Sequence, residues 1–244
     1  MRNLRLDICY EGTRYRGWQR LSGADNTIQA KLENALSRIL GEPIEVSGSG
    51  RTDAGTHAKM QVANFHCNST MPADQILEQL RRYLPEDIGI YSCRNVSPRF
   101  HARLNAKTKT YQYRVWNSEE PCVFERRFVY VDPLPVDLEE MQCAATYFLG
   151  EHDFSAFCAN RRMKKSTVRY IENLQIQRVG NELVFTVTGN GFLHHMVRIM
   201  VGTLLEVGRG QRDAESIQEL FGAERASAGA LIPACGLCLV EVNY

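Results

Sequence analysis

Residues 168–188 read VRYIENLQIQRVGNELVFTVT, and the fold turns on them. Two strand-like runs, Val168 to Val179 and Leu183 to Thr188, meet across Gly180-Asn181, a dipeptide suited to a tight hairpin turn. The run that follows, Phe192 to Val207, reads as a helix and is apolar around most of its circumference. Upstream of the hairpin, Leu138 to Leu149 is helical and closed by Gly150. Before that, Lys107 to Trp116 is a strand that sets Tyr111, Tyr113 and Val115 on one face. A short helix over Asp213 to Phe221 and a strand over Gly236 to Tyr244 complete this half.

The first half repeats the order. Leu4 to Tyr10 alternates as a strand does. A helix follows, capped by Asn26 or Thr27, with Ile28, Leu32, Leu36 and Ile39 at helical spacing. Pro43 to Val46 and Lys59 to Cys67 read as strands, residues 73 to 84 as a helix ended by Pro85, and Asp87 to Ser97 as a strand. The expected fold class is therefore α+β, with two tandem ferredoxin-like βαββαβ units whose sheets join around a central cleft. The boundary falls near Arg103 to Ala106, giving halves 1–104 and 105–244.

Composition narrows the field. With 244 residues, 44% apolar and 23% charged, the chain has material for a full core. Its net charge of +1 means that nucleic-acid affinity must come from local clustering. Nothing approaches the roughly 20 apolar residues of a bilayer span. The start (Met1-Arg2-Asn3-Leu4-Arg5-Leu6) is unlike a signal peptide, so a cytoplasmic address is expected. The eight cysteines have no framework spacing, and Cys235-Gly236-Leu237-Cys238 lacks a second pair, so neither disulfides nor zinc is expected.

Chemistry concentrates in the loop Gly48-Ser49-Gly50-Arg51-Thr52-Asp53-Ala54-Gly55-Thr56-His57-Ala58, between two strands. A carboxylate at Asp53 beside Arg51 is favoured in its charged form, able to act as base, nucleophile or metal ligand. It can equally fasten the turn, and the loop alone does not choose between these readings. Cations gather in three places. Arg94, Arg99, Arg103, Lys107, Lys109 and Arg114 lie in a stretch without acids, interleaved with Phe100, His101, Tyr111 and Tyr113. A second stretch holds Arg161, Arg162, Lys164, Lys165 and Arg169, and a third sets Arg14, Arg16 and Arg20 around Tyr15 and Trp18. Cations alternating with rings suit phosphate contacts and base stacking, so the cleft is read as RNA-binding, against the plainer reading of solvated charged faces.

Arg198 is the one permanent cation in the apolar helix. A guanidinium buried there needs an anion, either a structural carboxylate such as Glu206 or, across the sequence, Asp53. His194 and His195, taken as helix neighbours about 100° apart, do not converge on one metal ion. No dinucleotide loop, P-loop or zinc-protease motif is present.

The chain resembles the TruA-type tRNA pseudouridine synthases. The matching blocks are Tyr10-Glu11-Gly12-Thr13-x-Tyr15-x-Gly17-Trp18-Gln19, Thr27-Ile28-Gln29, Gly50-Arg51-Thr52-Asp53-Ala54-Gly55-x-His57-Ala58, and Asn105-Ala106-x-x-Lys109-x-Tyr111-x-Tyr113. Further on stand Gly150-x-His152-Asp153-Phe154, Phe192-Leu193-x-His195-Met196-Val197-Arg198-x-Met200-Val201-Gly202, and Pro233-Ala234-x-Gly236-Leu237-x-Leu239. The resemblance implies that Asp53 is the catalytic aspartate and Tyr111 the ring that stacks on the target uracil. It also implies that Arg198 pairs with the acid, that Leu237 walls the pocket, and that Arg51 helps open the target nucleotide. It further implies a homodimer acting on tRNA, with no cofactor and no metal, at about positions 38 to 40 of the anticodon stem–loop after base flipping. Two departures, Ala228 to Ala234 and Asn190-Gly191, leave the catalytic groups in place.

Overall fold

Leu4, Leu6, Ile8 and Tyr10 alternate along β1 (Arg2–Tyr10) and enter a core, while Arg5, Asp7 and Cys9 take the opposite face. The computed structural model describes residues 1–23, 25–160 and 165–244. These form two units, Met1–Lys107 with Cys238–Tyr244, and Thr108–Leu237.

In the first unit, α1 (Ile28–Leu40) starts where the Thr27 hydroxyl accepts the Ala30 N–H, and ends at Gly41. Then come β2 (Val46–Gly48), β3 (His57–Cys67), α2 (Ala73–Tyr83) and β4 (Ile88–Val96). β1 lies antiparallel between β3 and β4, and β2 antiparallel to the far side of β3. The resulting order β4-β1-β3-β2 is that of a ferredoxin-like βαββαβ sheet. Ile28, Leu32 and Leu36 of α1 and Ile76 and Leu80 of α2 are buried, as are Val62 and Phe65 of β3.

In the second unit, β5 (Thr108–Trp116) is followed by β6 (Tyr130–Val131), α3 (Leu138–Thr146), β7 (Gly150–Asp153), β8 (Val168–Val179), β9 (Glu182–Gly189) and α4 (Met196–Gly208). β5, β9, β8 and β7 are antiparallel in that order, with β6 parallel to β5. The hairpin turns at Gly180-Asn181 as expected, and Tyr113, Phe148, Phe154, Phe157 and Phe185 are fully buried. The last strand, β10 (Leu237–Asn243), pairs in parallel with β3, Cys238 opposite His57 and Leu239 opposite Ala58. The half expected from the sequence over 105–244 includes residues 238–244, which in the structure lie with the first unit.

Other differences are local. α4 begins at Met196 rather than Phe192, because His195 takes a left-handed φ of 66°, the only non-glycine among the described residues to do so. The segment over Asp213 to Phe221 is a 3-10 helix, Ala214–Leu220. The strand expected from Pro43 starts only at Val46. β6 and β7 are too short to show in the sequence pattern. Among the described residues no helix is long and apolar enough to cross a membrane.

Candidate functional site

In the first unit, Asp53 is half-buried on the connection between β2 and β3. Its carbonyl accepts the Thr56 N–H at 3.1 Å, closing a four-residue turn in which Gly55 has φ 80°, a conformation that disfavours any side chain. A second loop clamps this one. The Trp18 N–H donates to the Thr52 carbonyl at 3.0 Å, the Gly55 N–H to the Tyr15 carbonyl at 3.3 Å, and the Tyr10 and Thr52 hydroxyls are 2.8 Å apart. The Gly12 N–H donates to Nδ1 of His57 at 3.0 Å.

The clamp is tied in turn to α1. Ile28 and Gln29 donate their N–H groups to the Gly17 and Trp18 carbonyls, filling helix-start donors that otherwise lack partners. Gln29 and the buried Glu33 then hold both backbone groups of Val46, where β2 begins. Nε2 of Gln29 donates to its carbonyl at 3.1 Å, and the Glu33 carboxylate accepts its N–H at 3.0 Å. Asp53 is expected from the sequence, whereas its supports Gln29 and Glu33 are not. The signal available was Glu33 itself, a carboxylate one position along from the apolar Leu32.

In the second unit, Tyr111 lies on β5 opposite Val187, only 7% exposed. Its ring meets Phe192 edge-on, with centroids 5.1 Å apart and planes at 84°. Phe192 is set by the end of the β8–β9 pair, where Asn190 and Tyr170 exchange two hydrogen bonds of 3.1 Å. The departure at Asn190 thus extends the strand pairing. Arg198 is half-buried rather than fully buried, although its neighbours Met196 and Val197 on α4 are buried. Its Nε donates to the Ile232 carbonyl at 2.8 Å, while Glu206 accepts from Arg212 and from the Ala230 N–H. The other departing segment, Ala228 to Ala234, is therefore laid along α4, with the Gly229 N–H also donating to Thr203 at 3.0 Å.

Leu237 is buried and follows a 3-10 turn, Ala234–Gly236, pinned where the Tyr113 hydroxyl donates to the Pro233 carbonyl at 2.7 Å. His194 and His195 are not helix neighbours. They sit in the turn before α4 with ring centroids 3.7 Å apart, so the 100° separation expected of them does not apply.

The three cationic clusters differ in what holds them. Arg114 is held by Glu182 at 2.6 Å and Glu125 at 2.9 Å and serves the structure. Arg51, Arg14, Arg16, Arg99, Arg103 and Lys107 are exposed. Of the rings interleaved with cations in the sequence, Tyr15, Trp18, Tyr111 and Tyr113 are all buried. Arg161, Arg162 and Lys164 lie outside the described residues.

A family described as tRNA pseudouridine synthase matches this sequence over residues 8–105 and 144–244. The chain is 43% identical over 245 residues to the protein named tRNA pseudouridine synthase A 2 of Bacillus cereus (strain ZK / E33L), with all of both chains covered. It is 44% identical, again over the whole of both chains, to tRNA pseudouridine synthase A 2 of Clostridium perfringens (strain 13 / Type A). The same identity and coverage hold for tRNA pseudouridine synthase A of Acetivibrio thermocellus.

Proposed function

Because the chain belongs to the tRNA pseudouridine synthase family, we propose that it isomerises uridine to pseudouridine in the anticodon stem–loop of tRNA, at about positions 38 to 40. The observation that carries this is identity of 43% to 44% along the entire length of relatives bearing that name. The reaction breaks the N1–C1′ bond, turns the base and joins C5 to C1′. Atoms and electrons balance within the substrate, so the reaction as written calls for no cofactor.

Asp53 is the catalytic aspartate, acting on the sugar or base as nucleophile or taking a proton as the base departs. Tyr111 stacks on the flipped uracil, Arg198 is the cation that steadies the acid, Leu237 gives the pocket an apolar wall, and Arg51 helps to open the target nucleotide. Flipping costs a few kcal/mol, offset by stacking and phosphate contacts. The enzyme works in the cytoplasm as a homodimer. Support for these roles is the resemblance of the sequence blocks in which these residues stand, and for Asp53 also a loop braced on two sides.

Incubation with unmodified tRNA transcripts, followed by carbodiimide-blocked reverse transcription, tests the reading. Stops near the anticodon stem are expected with the parent protein. With Asp53→Ala they should disappear while tRNA binding persists. Turnover retained in that variant would refute the assignment.

A further inference from the structure

In the first unit, Asn3 and Asn64 are each only 2% exposed on adjacent strands, where a polar side chain is costly unless fully hydrogen-bonded. They spend those hydrogen bonds on one segment, residues 97–107. Nδ2 of Asn3 donates to the Ser97 and Phe100 carbonyls at 3.0 and 2.8 Å. Oδ1 of Asn64 accepts the Ala102 N–H at 2.8 Å, and its Nδ2 donates to Asn3 at 3.0 Å. The Tyr244 hydroxyl donates to the Ala102 carbonyl at 2.7 Å. The segment also closes on itself. His101 and Asn105 exchange hydrogen bonds of 2.7 and 3.1 Å, and Nδ1 of His101 accepts the Arg103 N–H at 3.1 Å.

The connection is thus anchored along its length, and what it presents is cationic. Arg99, Arg103 and Lys107 are exposed, and none of them forms an ion pair among the described residues. Leu104, between them, is 77% exposed. A fixed loop loses little conformational freedom on binding, so its charges act at nearly full strength.

We propose that residues 97–107 are a preformed docking loop for the tRNA backbone, with Arg99 and Arg103 on phosphates and Leu104 packed against the sugars. This rests on the reading that tRNA is the substrate, and adds where the first unit grips it. Asn3, Asn64 and Asn105 are positioning residues that keep the loop in its binding shape.

The test compares dissociation constants for a tRNA transcript across a salt series. The double variant Arg99→Ala/Arg103→Ala should bind about tenfold or more weakly, and the slope of log affinity against log salt should shrink by about 0.7–0.9 for each phosphate left without its cation. Arg99→Lys/Arg103→Lys should keep most of the slope. Asn105→Ala, at an exposed position, should weaken binding while leaving the slope unchanged, because the charges remain. All variants should melt with the parent, since the changed side chains are at the surface. Parent-like affinity and slope in the double alanine variant would overturn the proposal. Pseudouridine formation by the parent protein tests the synthase reading separately and does not enter this comparison.

Discussion

The backbone N–H of Trp18 and the carbonyl of Thr52 are joined by a 3.0 Å hydrogen bond, one residue ahead of Asp53. The approach depends on Gly17, whose φ is 88° and where a β-carbon would come within 2.5 Å of that same carbonyl. Gly17→Ala should therefore push the two loops apart, costing about 1–3 kcal/mol in stability. A displacement near 1 Å at a reacting group lowers turnover by about 100-fold. Single-turnover rates should fall accordingly, with tRNA affinity held within a few-fold.

Phe192 fixes the tilt of the Tyr111 ring through an edge-on contact, an arrangement worth about 0.5–1.5 kcal/mol beyond burial. Phe192→Ala should lower the single-turnover rate by up to about tenfold, and Phe192→Tyr should restore most of it. An unchanged rate in Phe192→Ala would show that Tyr111 needs no buttress.

Tyr113 is fully buried and gives its hydroxyl to the Pro233 carbonyl. Tyr113→Phe leaves that acceptor without its donor, a loss of about 1–3 kcal/mol that urea unfolding would measure. Because Pro233 leads into Leu237, the variant should also raise KM more than it lowers kcat.

Alkaline pH offers another check. Burial pushes the Cys93 thiol up from 9.0 to about 12, and burial also raises the hydroxyls of Tyr113 and Tyr244. Between pH 9.0 and about 12 the unfolded chain releases the Cys93 proton while the folded chain keeps it, so stability declines across that window. Thermal melts from pH 8 upward should show the decline, and Cys93→Ala should remove the part that sets in between pH 9.0 and 10.0, leaving the tyrosine part above it. Exposed Cys143 should be alkylated in the native protein long before Cys93.

Much of the architecture was legible because it is local. Gly180-Asn181 specifies a hairpin, Thr27 specifies a helix start, and alternation along β1 specifies which face is buried. The start of α4 was not, since the left-handed turn at His195 uses a residue that rarely adopts it and the apolar run continues through the break. Rings among cations at Tyr15 and Trp18 looked like a stacking surface; composition cannot tell a core ring from an exposed one. Of the candidate site, Asp53 stood out by its glycine-rich surroundings. The braces from Gln29 and Glu33 join separate elements, and the one local trace of them is the charge of Glu33 beside the apolar Leu32.

The parallel pairing of Cys238 and Leu239 with His57 and Ala58 has a consequence for biosynthesis. On the ribosome, β1 to β4 emerge long before residues 238–244 exist, leaving one flank of β3 without its final neighbour while the intervening polypeptide is made. Contacts of such wide separation form slowly, so maturation of this unit waits on translation of those late residues. Stalled nascent chains that stop short of them should remain open to proteases along that flank.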